Sequence, residues 1–323
     1  MPVILLTNCY SKEKLNIVKN LIPSNFNFLS LSKPSKNDLI EKASTADYFL
    51  VSGRVPVDED VLVVANKLKM IQRTGVGIDS LDMDTLRNRG IPVYVNLGIN
   101  SASVAEHTLM LILSTLRQLP KLNSSVKEGK WLKQELGIQC NELKGKTVGL
   151  IGIGNIGLKV AKMLKVFSAR VLYFDPMRLD LQEEKKLNIT YLPFPDILKE
   201  VDILSLHCPL SSKTKGMIAN NEISTLKPGS IIINTSRGGL IDEQALIEAL
   251  KSGHLKGAGL DVFEKEPLSS NNPLLKMDNV ILTPHVGGVT YEAFKKMIQE
   301  ALQNIMLFEE GRIGVLEDKK LKI

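Results

Sequence analysis

The stretch "LTPHVGG", Leu282–Gly288, sets His285 behind a proline and, one residue on, before two glycines. Pro284 limits the backbone ahead of the imidazole, and Gly287 and Gly288 leave room beside the ring. An imidazole placed so can give or take a proton near neutral pH; it can equally be a histidine that closes a buried strand. Arg237 in "NTSRGG" and Asp261 and Glu266 in "DVFEKEP" also stand at or just past the ends of strand-like runs. A guanidinium can orient a carboxylate through two parallel hydrogen bonds, and a carboxylate next to an imidazole favours its charged form. Taken one at a time, each residue also fits a structural ion pair.

A second constellation is "GLIGIGNIG", where Gly152, Gly154 and Gly157 follow G-x-G-x-x-G spacing, with Asn155 and Ile156 between them. The first glycine permits a tight turn, the second lets a pyrophosphate approach the backbone, and the third lets a helix pack closely. The helix N-terminus attracts the negative charge. Asp175 ends the next strand-like run, eighteen positions beyond Gly157. Its carboxylate can accept from ribose hydroxyls and repels a 2′-phosphate, which favours NAD over NADP. Arg178 reads as a solvated side chain, with the option of folding back onto a phosphate.

The elements that must position these residues form two series. Four short β-like runs, 3–8, 48–53, 70–75 and 92–98, alternate with helix-compatible stretches and make a small α/β unit. "SASVAEHTLMLILSTLRQL" is apolar on most faces up to Pro120 and reads as one long buried helix. From Lys146 a six-strand α/β series follows, its runs apolar at nearly every position, as strands covered on both faces are. That is the pattern of a doubly wound parallel sheet. The amphipathic stretch from Thr290 returns the chain toward its first unit, and the basic tail "EDKKLKI" reads as a frayed end.

Composition narrows the classes. With 323 residues, two domains are expected. Net charge +6 comes from basic residues scattered among acids, which suits an anionic small molecule and gives no block for nucleic acid. Cys9, Cys140 and Cys208 lack close pairing, so neither a disulfide framework nor a metal site is expected, and a reducing compartment is. No run can span a bilayer and no signal peptide is evident. A soluble cytoplasmic protein is the expectation, with His254 at the surface.

In order, "RTGVGID", "SVAEH", "GLIGIGNIG", "HCPL", "NTSRGGLIDEQAL", "DVFEKEP" and "TPHVGG" resemble the D-isomer-specific 2-hydroxyacid dehydrogenases over nearly the whole chain. The resemblance implies an NAD-dependent oxidoreductase interconverting a 2-oxo acid and a D-2-hydroxy acid. It implies an α/β fold in which a doubly wound Rossmann NAD-binding domain, 102–288, is inserted in a smaller flavodoxin-like substrate domain, 1–101 and 289–323. Its catalytic residues would be Arg237, on the substrate carboxylate and carbonyl, Glu266, paired to the histidine, and His285, the acid/base. A ketone gaining hydride needs a proton donor within hydrogen-bond reach, and pairing with Glu266 would keep the imidazole charged for reduction.

The resemblance extends the cofactor set to His207, Pro209, Thr214, Thr235, Arg237, Asp261, His285 and Gly288, beside the glycine motif and Asp175. Val76 and Gly77 would offer backbone N–H groups to a carboxylate, with Asn100 beside them, and Arg54 and Arg73 could hold a second anionic group. Ser52 stands where phosphoglycerate dehydrogenases carry an arginine, and the regulatory C-terminal domain of many of them is not expected. Glu266 argues against formate dehydrogenases, in which an amide replaces it. His107 reads as a packed hinge or interface residue. Substrates of the hydroxypyruvate, glyoxylate or 3-phosphoglycerate class, a cleft between domains and a homodimer are expected. An NAD(H)-sensing interaction protein of corepressor type is the alternative.

Overall fold

The computed structural model describes residues 1–53, 55–78 and 80–321. These form two compact units, Met1–Asn100 with the described part of Tyr291–Ile323, and Ser101–Thr290. In the first, β1 (Val3–Leu6), β2 (Asn27–Ser30), β3 (Tyr48–Val51), β4 (Met70–Arg73) and β5 (Val93–Tyr94) form a parallel sheet in the order β2-β1-β3-β4-β5. This is the flavodoxin-like order. Alternate residues of β1 and β3 feed opposite cores. Leu5, Phe49 and Val51 join Leu39, Val61 and Leu62 on one face, while Ile4, Leu6, Tyr48 and Leu50 meet Phe294, Ile298 and Leu302 on the other. The latter three come from the Tyr291–Glu309 helix, whose amphipathic stripe supplies that cover.

Two features of this unit differ from the sequence reading. β2 is an extra strand: "NFLS" lies at the sheet edge with no fully buried position, so it carries no continuous apolar run to betray it. The tail, as far as Leu321, is not frayed. Val95 donates to the Lys319 carbonyl (3.0 Å) and Leu321 donates to the Val93 carbonyl (2.9 Å), so main-chain bonds tie it to the edge of β5.

In the second unit, β6 (Thr147–Ile151), β7 (Arg170–Phe174), β8 (Ile189–Tyr191), β9 (Ile203–Leu206), β10 (Ser230–Asn234), β11 (Leu255–Leu260) and β12 (Val280–Leu282) run parallel in the order β12-β11-β10-β9-β6-β7-β8. From β6 the chain winds outward to β7 and β8, then returns to β9 and winds the other way. The doubly wound sheet expected from the sequence is present, with seven strands where six were expected. The extra one, β8, is a three-residue edge strand with one buried position. The reversal between β6 and β9 is the place where such sheets bind ligands, beyond the strands' carboxyl ends.

Two helices pack this sheet from one side. Ala105, Leu111, Ile112 and Leu116 of Ser101–Leu116 join Val160, Ala161 and Leu164 of Asn155–Val166 over β6 and β10. Each buried leucine contributes about 1.5–3 kcal/mol of apolar transfer. The first helix stops at Leu116, short of the expected Pro120, because Gln118 turns left-handed (φ 50°) and Pro120 falls in the first turn of a new helix, Leu119–Lys127. Among the described residues no helix is long and apolar enough to cross a membrane.

Candidate active site

The glycine-rich turn joins β6 to the Asn155–Val166 helix beside the switch point. Gly152 has φ 98°, and a Cβ there would lie 2.7 Å from the Cys208 nitrogen. The fold itself therefore requires that glycine. Gly154 differs: its φ is −69° and a Cβ would meet nothing within 4 Å. Nothing in the chain needs glycine at this exposed helix start, and the space kept clear of side chain fits a pyrophosphate at a helix N-terminus.

Asp175 sits at the end of β7 and closes on this turn, its Oδ2 accepting from Ile153 N (3.0 Å) and Oδ1 from Met177 N (2.9 Å). Arg178 is solvent-exposed, as expected, and paired at the surface. It donates to Glu184 (2.8 and 3.0 Å) and lies over the Tyr191 ring, 5.0 Å from its centre. Bound this way it is turned to Glu184, leaving the Asp175 carboxylate as the acidic group beside the turn.

After β9, His207 faces the same switch point. Its backbone N–H donates to Ile151 (2.7 Å), its Nε2 is 2.9 Å from Ser205 Oγ, and loss of solvent pushes its pKa down to about 4. The following loop is closed by Thr214, whose hydroxyl donates to the Pro209 carbonyl (2.7 Å) and accepts from Ser211 N (2.8 Å). Thr235 is buried at the end of β10, 2.8 Å from the hydroxyl of Thr108. Thr108 already donates to Val104, so Thr235 is the donor of that pair.

Arg237 follows on the same loop, its Nη1 donating to the Ser236 carbonyl (2.8 Å). Asn234, 1% exposed, braces the loop: its amide donates to the Arg237 carbonyl (2.9 Å) and its Oδ1 accepts from Ser236 N (3.0 Å). The next residue, Gly238, packs against the Phe263–Glu264 backbone so closely that a Cβ would fall on the Phe263 carbonyl. The absent side chain brings the arginine loop against the segment that carries Glu266.

Glu266 is fixed from two directions. Its Oε1 accepts from Phe263 N (3.0 Å), and His285 Nδ1 lies 2.9 Å from Oε2 and 3.2 Å from Oε1. The Glu266 side chain is mostly buried and that of His285 is 41% exposed, so the ring can reach a ligand while its partner is held. His285 is left-handed, φ 56°.

Asp261, at the end of β11 and 2% exposed, lies under the histidine loop. Burial pushes its carboxyl up, yet hydrogen bonds from His107, Thr283 and the N–H groups of Gly287 and Val286 outweigh that and hold it below the usual range. His107 is thus a packed residue within this unit. His254, expected at the surface, is half-buried with Nε2 2.8 Å from the Ile223 carbonyl, because the turn before β11 packs back on the Asn220–Thr225 helix.

In the first unit, Arg73 ends β4 and its Nη1 donates to the Gly53 carbonyl (3.3 Å). Val76 and Gly77 lie on the loop beyond, with Val76 half exposed. Buried Asn96 braces this loop as Asn234 braces the other, donating to the Thr74 carbonyl (3.2 Å) and accepting from Gln72 (3.1 Å). Ser52 is hydrogen-bonded to Tyr10, and Asn100 is partly exposed at the end of this unit. Arg54 lies outside the described residues. Sequence reasoning missed Asn96 and Asn234; the available signal was an amide at the end of an otherwise apolar strand run, "VYVN" and "IIIN".

Residues 109–287 match the family model described as D-isomer specific 2-hydroxyacid dehydrogenase, NAD binding domain. The chain is 40% identical over 260 residues to a D-3-phosphoglycerate dehydrogenase of Archaeoglobus fulgidus, covering 80% of this chain and 49% of that one. To a hydroxypyruvate reductase of Thermotoga maritima it is 39% identical over 272 residues, covering 84% and 87%. Among solved structures it superposes on a D-lactate dehydrogenase from Aquifex aeolicus, complexed with NAD and lactic acid, with a TM-score of 0.86, 28% identity and coverage of 99% and 98%. The chain thus spans about half the length of the phosphoglycerate dehydrogenase and most of the length of the reductase.

Proposed function

The chain belongs to the D-isomer specific 2-hydroxyacid dehydrogenase family, and on that premise we propose that it interconverts a 2-oxo acid and a D-2-hydroxy acid with NAD(H) as cofactor. The observation that carries the reading is the Glu266–His285 pair set against the arginine loop by Gly238. The corepressor alternative has no support, since the named relatives are reductases and dehydrogenases.

The residues divide the work. Gly154 and the start of its helix would take the pyrophosphate, and Asp175 the ribose hydroxyls. His207, Pro209, Thr214, Thr235, Asp261 and Gly288 complete the cofactor side. When bound, NADH supplies the hydride for the carbonyl carbon. Arg237 is assigned to the carboxylate and carbonyl of the oxo acid through its planar donors. The Glu266 pairing engages Nδ1 of His285, and Nε2 is the atom we assign to the proton that the reduced oxygen takes. In oxidation the neutral ring accepts the hydroxyl proton. Val76 and Gly77 are assigned to the substrate carboxylate, with Arg73, Arg54 and Asn100 as further substrate residues.

Hydroxypyruvate or glyoxylate is the substrate class we favour, because the hydroxyl of Ser52 is bonded to Tyr10 and brings no charge for a phosphate. Arg73 favours a second reading, the 3-phosphoglycerate class. A cytoplasmic location is supported by three cysteines free of disulfides. A homodimer is supported by the large apolar side chains left exposed along one segment, Leu119, Val126, Trp131 and Ile138. The test is the product of hydroxypyruvate reduction, separated by chiral chromatography: D-glycerate is expected, and the L-enantiomer would overturn the proposal.

A further inference from the structure

His285 occupies a backbone conformation that an L-residue adopts at a cost of about 1–2 kcal/mol. Such a residue persists only where its surroundings over-determine it. Here the two peptide groups after it are held by one carboxylate: Val286 N–H donates to Asp261 Oδ1 (2.9 Å) and Gly287 N–H to Oδ2 (2.8 Å). Before it, Thr283 N–H donates to the Leu260 carbonyl (2.9 Å) and His285 N–H to the Thr283 carbonyl (3.0 Å). The Thr283 hydroxyl donates to Asp261 Oδ1 at 2.6 Å. That proton is therefore committed, and Thr283 Oγ1 can only accept from His107 Nε2, 2.9 Å away. The contact fixes His107 as the donor, which also sets its Nε2 3.4 Å from Asp261 Oδ1.

Gly287 belongs to the same arrangement. A Cβ there would lie 2.9 Å from Asp261 Oδ2 and 3.3 Å from His107 Cδ2. The backbone after the histidine is thus packed directly on the carboxylate and the ring. We propose that His107 is a positioning residue for His285: through Thr283 and Asp261 it holds the two N–H groups that keep His285 left-handed and facing Glu266. It stands in the middle of the Ser101–Leu116 helix, a rigid element anchored by Leu111 and Ile112. The proposal rests on the acid/base role of His285 for its kinetic consequence and on the hydrogen-bond chain alone for its structural one.

The test compares wild type with His107→Leu, His107→Gln and Thr283→Val, measuring kcat for 2-oxo acid reduction, NADH affinity, the solvent isotope effect, and amide exchange at Val286 and Gly287. Loss of the donor in His107→Leu is expected to lower kcat by about tenfold to a hundredfold, as misplacement of a reacting group does. Any loss of NADH affinity should be smaller than the loss of kcat, the isotope effect should rise, and exchange should quicken at Val286 and Gly287 without quickening across the unit. Gln, whose amide nitrogen takes the place of Nε2, should restore most of kcat, and Thr283→Val should repeat the loss if His107→Leu fails to fold. Unchanged exchange at both amides, or a Gln variant as slow as Leu, would overturn the proposal. A wild type inert on every 2-oxo acid, with quickened local exchange in His107→Leu, would sink the reading of function and uphold the lock.

Discussion

Removing the Glu266 carboxylate should change where on the pH axis reduction fails. With an opposite charge 2.9 Å from Nδ1, imidazolium is favoured. In Glu266→Gln the pH above which reduction fades should therefore fall, while NADH binding holds. An identical pH profile would remove Glu266 from the proton step. Arg237→Ala should lower kcat/KM for the oxo acid on the order of a hundredfold with cofactor affinity spared, and equal loss of both would reassign it to the cofactor. His207 gives a stability signature. Its pKa falls from 6.5 to about 4 on folding, so the unfolded chain binds the proton more readily and stability drops as pH falls through that window. His207→Gln should flatten the decline in unfolding midpoint between pH 6.5 and 4, and a decline as steep as wild type would contradict it. The arginine, glutamate and histidine were legible because the ordered motifs that carry them, "NTSRGG", "DVFEKEP" and "TPHVGG", resemble those of the family. Asn234 and Asn96 also close apolar runs, but a linear reading does not show the loops they brace.

At the scale of elements, Gly152 and Gly154 separate what the fold needs from what a ligand needs. Gly154→Val meets open space at an ordinary φ, so its unfolding free energy should stay within about 0.5 kcal/mol of wild type. Its NADH affinity should fall at least about tenfold, because the side chain fills the room kept for the pyrophosphate. Undiminished affinity would remove the glycine turn from the cofactor site. The central strands could be read ahead because residues covered on both faces leave apolar runs such as "SIIIN". β2 and β8 could not, being edge strands whose half-exposed residues mimic the connecting loops. The tail escaped notice for a related reason: its attachment to β5 is through main-chain bonds, which leave no side-chain pattern.

For the whole molecule, the doubly wound order follows from the alternation of strand and helix, while self-association depends on surfaces that the sequence pattern leaves unmarked. The single tryptophan, Trp131, is 79% exposed among the apolar side chains of the 119–138 segment. If that segment pairs two copies, its fluorescence should shift to the red on dilution as sedimentation passes from dimer to monomer. Emission independent of concentration, with monomer throughout the micromolar range, would place the indole in water and refute the dimer.

The most direct measurement is the rate of NADH oxidation by wild type and His285→Asn across glyoxylate, hydroxypyruvate, phosphohydroxypyruvate, pyruvate and phenylpyruvate, with NADPH in parallel. Turnover of a 2-oxo acid with NADH preferred is expected, hydroxypyruvate or glyoxylate leading, and a loss in His285→Asn on the order of a hundredfold or more. NADH binding without turnover of any of the five, or a His285→Asn variant as active as wild type, would contradict the assignment of His285 as the proton donor.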